Sequence, residues 1–328
     1  EQAKQRHAIH YEGVLRKADE LYKLGGEHIL RGLGLFDVEW ANIKAGQAWA
    51  RGGLEEGRVA WERSSGYPDA GTYTLELRLR PRDRIGWLER AVEASVKLGD
   101  RRAQGRHLGN LGRAYDSLGE SERAAAYQEQ WLAIARETGD RQGEGRALIN
   151  LGNAYDSIGK YQRAIDYHQK ALEIAREICD RRGESAALGN LGIAYEALGE
   201  HRRSIDYQEQ TLAIKREIGD LLGEANALGN LGVSYKNLGD YDLAIQYYRQ
   251  VLTIAHALGD QISEANSLSN LSLAQDELGK REEAIANATR ALEIFEALSS
   301  PYADDVRSQL AEWRSASPPA AAEESPDQ

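Results

Sequence analysis

The sequence predicts an all-α protein made of stacked helix–turn–helix units, and three observations carry that prediction. A 40-residue unit repeats five times without insertion or deletion, at 101–140, 141–180, 181–220, 221–260 and 261–300. Apolar residues within each unit recur at helical spacing. No proline stands between Pro81 and Pro301, as helices running nearly back to back require. A chain with this period has no single globular core. Each unit buries its apolar face on its neighbours and leaves a long continuous surface, better suited to binding another chain than to catalysis.

Each element follows from the residues. In the second copy Leu148, Leu151, Gly152, Tyr155 and Ile158 fall at i, i+3, i+4, i+7 and i+10, one stripe of a first helix. Gly159 ends it, as Gly119, Gly199, Gly239 and Gly279 do in the other copies, because glycine enters the left-handed C-terminal conformation without a Cβ penalty. A second stripe (Ala164, Tyr167, Ala171, Leu172, Ile174, Ala175) stops near Cys179. Asp180 then stands as N-cap of the next helix, with Asp100, Asp140, Asp220 and Asp260 in the same place. Gly112, Gly152, Gly192 and Gly232 mark a close approach of the first helix to another. The fifth copy drifts, with Ser272 and Gln275 for the Gly and Tyr of this frame.

The flanks are less regular. Segments 8–24 and 38–50 are amphipathic, and 86–100 reads as the second helix of a degenerate unit. The expected organisation is an N-terminal helical segment at 1–60, a degenerate first repeat at 61–100 and five repeats at 101–300. A capping helix follows at 301–314, with Ser300 as N-cap, Pro301 at N1 and Val306, Leu310 and Trp313 on its inner face. The tail at 315–328, all Ser, Ala, Pro, Glu, Asp and Gln, is expected to be disordered.

Composition narrows the function. The net charge of −11 over 328 residues opposes nonspecific binding to nucleic acid or anionic lipid. Cys179 is the one cysteine, so no internal disulfide forms, and its place among glycines (Gly139, Gly219, Gly259) reads as a small loop residue. No apolar run is long enough to span a membrane, and no signal peptide is visible. With Glu1 first and no methionine, the chain reads as a piece of a longer, cytoplasmic protein. Neither a phosphate-binding Gly-x-x-x-x-Gly-Lys loop nor a zinc motif is present, so no catalytic residue, cofactor or metal is expected. His168 reads as packing against Tyr155 or Tyr167, and Asp180, Glu184 and Glu200 as caps and solvated faces.

The frame Leu148, Leu151-Gly152, Tyr155, then Ala164 and Ala171-Leu172, resembles the tetratricopeptide repeat over about 200 residues. The period is longer than the usual ~34 residues, and the usual late proline is missing. The stretch 145–153 (Gly-Arg-Ala-Leu-x-Asn-Leu-Gly-Asn) is similar to the Pins/LGN group of scaffolds and their bacterial counterparts. The stretch around Trp40, Ile43 and Trp49, and the run Leu77 to Arg84 before Trp87, resemble regions of bacterial STAND-class signal-transduction ATPases. The resemblance implies a right-handed superhelix, a protein-binding groove lined by the first helices, and the sensor region of such an ATPase.

One residue type in that groove stands out. Asn110, Asn150, Asn190, Asn230 and Asn270 occur in all five copies. At ~100° per residue, Asn110 falls roughly 150° from the middle of the stripe Leu108, Leu111, Gly112, Tyr115. A carboxamide bonds a backbone C=O and N–H together, and the resemblance implies this peptide-holding role, with a basic residue four positions earlier. Those positions hold Arg106 and Arg146, then Ala186, Asn226 and Asn266. Asparagines bonding one another in a structural ladder is the alternative. Three residues after each stand Arg113, Asn153, Ile193, Val233 and Leu273, basic and polar early, apolar late. The expected ligand is an extended acidic–apolar segment of a partner protein. Pairing of Arg113 and Arg146 with Asp116 and Asp156 would mute that charge. The expected function is a non-enzymatic interaction module, monomeric or weakly self-associating, with a small-effector sensor or a self-assembling structural module as alternatives.

Overall fold

The structure is a computed structural model and describes residues 2–24, 27–52 and 57–315. From residue 316 onward the tail expected to be disordered lies outside the described residues. Among those residues every regular element is a helix.

Five helices precede the repeats: α1 (Gln2–Leu24), α2 (Glu27–Gly52), α3 (Arg58–Ala70), α4 (Thr72–Arg78) and α5 (Pro81–Leu98). Five pairs follow. They are α6 (Arg101–Asp116) with α7 (Ser121–Glu137), α8 (Arg141–Ser157) with α9 (Tyr161–Glu177), and α10 (Arg181–Ala197) with α11 (His201–Glu217). Then come α12 (Leu221–Asn237) with α13 (Tyr241–Leu258), and α14 (Gln261–Glu277) with α15 (Arg281–Ala297); α16 (Tyr302–Ser315) closes the order. The chain forms two compact units, Glu1–Ala187 and Leu188–Gln328.

Turn chemistry sets the period. The carboxylates of Asp100, Asp140, Asp180, Asp220 and Asp260 each accept the backbone N–H three residues on, at 2.9–3.1 Å, satisfying a donor that a helix start leaves open. Each pair ends on a left-handed residue: Gly139, Gly219 and Gly259, but also Cys179 at φ 54° and Ser299 at φ 52°. Cys179 is therefore a loop residue in a glycine's conformation.

Packing inside the pairs repeats too. Tyr115–Tyr127, Tyr155–Tyr167, Tyr195–Tyr207 and Tyr235–Tyr247 stack face to face at 5.3–5.4 Å. Gln275 and Asn287 replace the rings in the fifth pair, and Asn287 Nδ2 donates to Gln275 Oε1 at 2.7 Å. The recurrent glycines of the first helices seat side chains of the second helices: Gln128 under Gly112, His168 under Gly152, Gln208 under Gly192, Tyr248 under Gly232. Close approach is thus of a side chain to the helix. At Gly112 the backbone of Ala124 is near as well. His168 has an aspartate as its polar partner. It is fully buried, with Nε2 3.1 Å from Asp156 Oδ2, because Gly152 leaves it room between the helices.

In the first unit Leu15, Ile43, Tyr67 and Leu75 gather a core with Trp87. Trp40 joins it, stacked on Phe36 at 5.1 Å and on Trp87 at 5.9 Å. Buried Asp19 of α1 accepts the N–H groups of Tyr73 and Thr74 at 2.8 and 3.0 Å, so α4 is capped from another helix. In the second unit Val306, Leu310 and Trp313 of α16 pack with Ala265, Leu268 and Phe295.

Candidate functional site

In the first unit α6, α7 and α8 surround an open cavity of about 620 Å³, closed on one side by Asp69, Thr72 and Tyr73. The 40-residue register sets Asn110 above Asn150, and Arg106 above Arg146, on successive first helices. All four line the cavity, together with Arg113 and Trp131. Five of the residues singled out in the sequence thus meet in one place. Arg113 also borders a hollow of about 250 Å³ with Asn150 and Asn153.

The asparagines are half-buried in all five copies. Asn150 Nδ2 donates to Gln128 Oε1 at 3.4 Å, and Gln128 Nε2 donates to the Gly109 carbonyl at 2.8 Å. The structural tie of Asn150 therefore runs to a glutamine of the preceding pair. It leaves the carboxamide oxygen of Asn150 at the cavity wall, an acceptor for a ligand N–H.

The charge differs from the expectation. Arg106 Nη2 bonds Asp69 at 2.8 Å, and Arg113 pairs with Glu76. Asp116 and Asp156 mute neither arginine, because Asp116 accepts the Ser121 hydroxyl at 2.8 Å and Asp156 meets His168. The acids come instead from α3 and α4, 37 residues earlier. Arg146 makes no ion pair with any described residue. The cavity therefore holds two neutralised guanidinium groups and one free one. Beneath it, buried His107 has Nε2 3.0 Å from Ser65 Oγ and Nδ1 3.6 Å from Asp69. Burial pushes its pKa below the ordinary histidine value, against the pull of Asp69.

Sequence reasoning missed Trp131, an indole 8% exposed at the cavity wall. A signal existed: the same position holds Ala171, Thr211, Val251 and Ala291 in the other copies. The second unit carries Asn190, Asn230 and Asn270. Asn230 borders a hollow of about 300 Å³ with Ile193 and Val233. Leu273 instead packs partly buried against the Phe295 cluster. Trp40, in one of the STAND-like stretches, is committed to its core stack. No three histidine, cysteine or acidic side chains among the described residues are grouped to hold a metal ion. No described helix is long and apolar enough to cross a membrane.

Models of the tetratricopeptide repeat family match residues 126–177, 144–217 and 223–297, and a second such model matches 108–142. BtubC (BKLC) from P. vanneervenii is similar in structure, with a TM-score of 0.61 and 22% identity, covering 67% of this chain and 92% of that one. A STAND signal-transduction ATPase of Pyrococcus horikoshii with a tetratricopeptide repeat sensor gives a TM-score of 0.65 at 18% identity. It covers 92% of this chain, which spans 46% of that protein. A Rap protein solved with Competence and Sporulation Factor gives a TM-score of 0.58 at 15% identity, over 96% of this chain and 98% of that one. No curated protein matches the chain.

Proposed function

The chain belongs to the tetratricopeptide repeat family, and on that premise we propose that it is a non-catalytic interaction module that holds an extended segment of a partner protein. The segment lies against Asn110 and Asn150, with Arg146 as its anionic anchor; Asn190, Asn230 and Asn270 are the matching positions that the second unit offers. The observation that carries this reading is the cavity that gathers two ladder asparagines and an unpaired arginine. The carboxamides take the ligand main chain without regard to sequence, and Arg146 asks for one acidic side chain. A sensor role within a larger signalling protein is supported by the STAND-like stretches around Trp40 and Leu77 and by the fold shared with the P. horikoshii ATPase.

Titration of an acidic–apolar peptide, selected on an array, tests the reading. Each side-chain-to-backbone bond is worth ~0.5–1.5 kcal/mol net. Asn150→Ala with Asn190→Ala then weakens binding about ten-fold or more, with circular dichroism unchanged. Normal binding by a variant that melts early makes the ladder structural and sinks the proposal. A small-effector sensor is the second reading, favoured by the cavity of about 620 Å³, within the size range of small-molecule sites. A thermal-shift screen of metabolites checks it.

A further inference from the structure

The hollow of about 300 Å³ in the second unit has a counterpart two repeats earlier, residue for residue. Ile193 stands for Arg113, Glu196 for Asp116, Gln208 for Gln128 and Val233 for Asn153, each eighty positions later. The two are the same subsite of the repeat with different linings, so each lining states what its subsite takes.

The floor of the later one is unsatisfied. Gln208 is 1% exposed and donates Nε2 to the Gly189 carbonyl at 2.9 Å. Its Oε1 is buried without a partner, whereas Gln128 Oε1 accepts from Asn150. An acceptor buried and unpaired is costly until something donates to it. The wall carries a carboxylate. Glu196 accepts from Ser234 Oγ at 2.6 Å and Asn237 Nδ2 at 2.7 Å, and lies 2.7 Å from His201 Nδ1. No lysine or arginine among the described residues pairs with it. Burial pushes its carboxyl up, but those hydrogen bonds outweigh burial and hold it below the usual range. Ala197, Val233 and Ile193, the last 49% exposed, supply apolar wall, beside the polar Ser204 and Asn230.

We propose that this hollow is a subsite for a lysine side chain, its butyl stem laid on Ile193 and Val233 and its ammonium placed between Glu196 and Gln208 Oε1. Lysine suits it because a compact ammonium donates to two separate acceptors, while a guanidinium asks for a flat paired one. The proposal rests on the groove reading and deepens it, since Asn230 of the asparagine series borders this hollow.

Nα-acetyl-lysine methylamide, titrated into the full isotope-labelled chain, tests the subsite apart from that reading. Saturable shifts are expected at the side-chain amides of Gln208 and Asn237, weakening with added salt. The norleucine counterpart, which lacks the ammonium, is expected to bind about five-fold or more weakly. Glu196→Gln keeps the shape and removes the difference between the two ligands. Ile193→Ser, at an exposed position that folding tolerates, weakens both. Equal binding of lysine and norleucine by the parent chain, or no saturable shift at Gln208, overturns the proposal. Lysine binding here, together with undiminished peptide binding by the variant carrying Asn150→Ala and Asn190→Ala, sinks the groove reading alone.

Discussion

Trp131 stands on Gly109: a Cβ at Gly109 would lie 2.3 Å from Trp131 Cε3. The next copy reverses the sizes, with Ile149 facing the position of Ala171. The third has Gly189, where a Cβ would meet Thr211 at an ordinary 3.5 Å. Gly105 of the same helix leaves room as well, since a Cβ there would lie 2.7 Å from Trp131 Cδ1, so one indole at the cavity wall is made possible by two missing methyls on the facing helix.

A size swap follows from this. Gly109→Ile is expected to cost about 1–3 kcal/mol or more by overpacking, and Trp131→Ala about 3–5 kcal/mol by leaving a void. The pair Gly109→Ile with Trp131→Ala copies the second repeat and recovers part of the loss. Urea denaturation of the four proteins gives the coupling directly; strict additivity would show that the two residues do not share a site.

Gly192 seats Gln208 at 2.5 Å from its missing Cβ. Gly192→Leu pushes Gln208 off the Gly189 carbonyl and is expected to lower stability by about 1–3 kcal/mol. A thermal melt equal to the parent's would refute the seat.

The left-handed positions hold a gain in reserve. Cys179 pays for a conformation that its neighbours in the repeat give to glycine. Cys179→Gly is expected to raise stability by about 1 kcal/mol, read as a higher denaturation midpoint with no change in slope. Ser299→Gly behaves alike.

His107 makes stability depend on pH. Its folded pKa lies below the ordinary value, so the unfolded chain binds the proton first as pH falls. The stabilisation is full above about 6.5 and is lost as pH drops toward the folded value. Comparing His107→Gln with the parent between neutral and mildly acid pH isolates it: the variant should lose less stability over that window, and parallel curves would count against a buried neutral imidazole.

The arginines are not equivalent. Arg146→Glu is expected to weaken binding of an acidic peptide most and to flatten its salt dependence. Arg106→Glu, which loses the bond to Asp69, should act more through the packing of α3 on α6 than through the ligand. Peptide titration at two salt concentrations, with melts of both variants, separates them; equal effects on binding would mean that Asp69 does not occupy Arg106.

The repeat itself was legible because its rules are local. Asp100 to Asp260 cap helices three residues away, Gly139 and its equivalents turn the chain in place, and apolar spacing marks each stripe, so period and helix order follow from neighbours in sequence. Even the drift of the fifth copy was visible at Gln275, though its hydrogen bond to Asn287 was not. What only the tertiary structure decided depends on which distant side chains share a space. Asp69 and Glu76 reach Arg106 and Arg113 from helices outside the repeat frame. Asn150 finds Gln128 across a helix pair. Trp131 reaches the cavity wall because Gly105 and Gly109, on the preceding helix, lack side chains. Charge and shape at the site depend on distances through space, and a one-dimensional period holds no record of them.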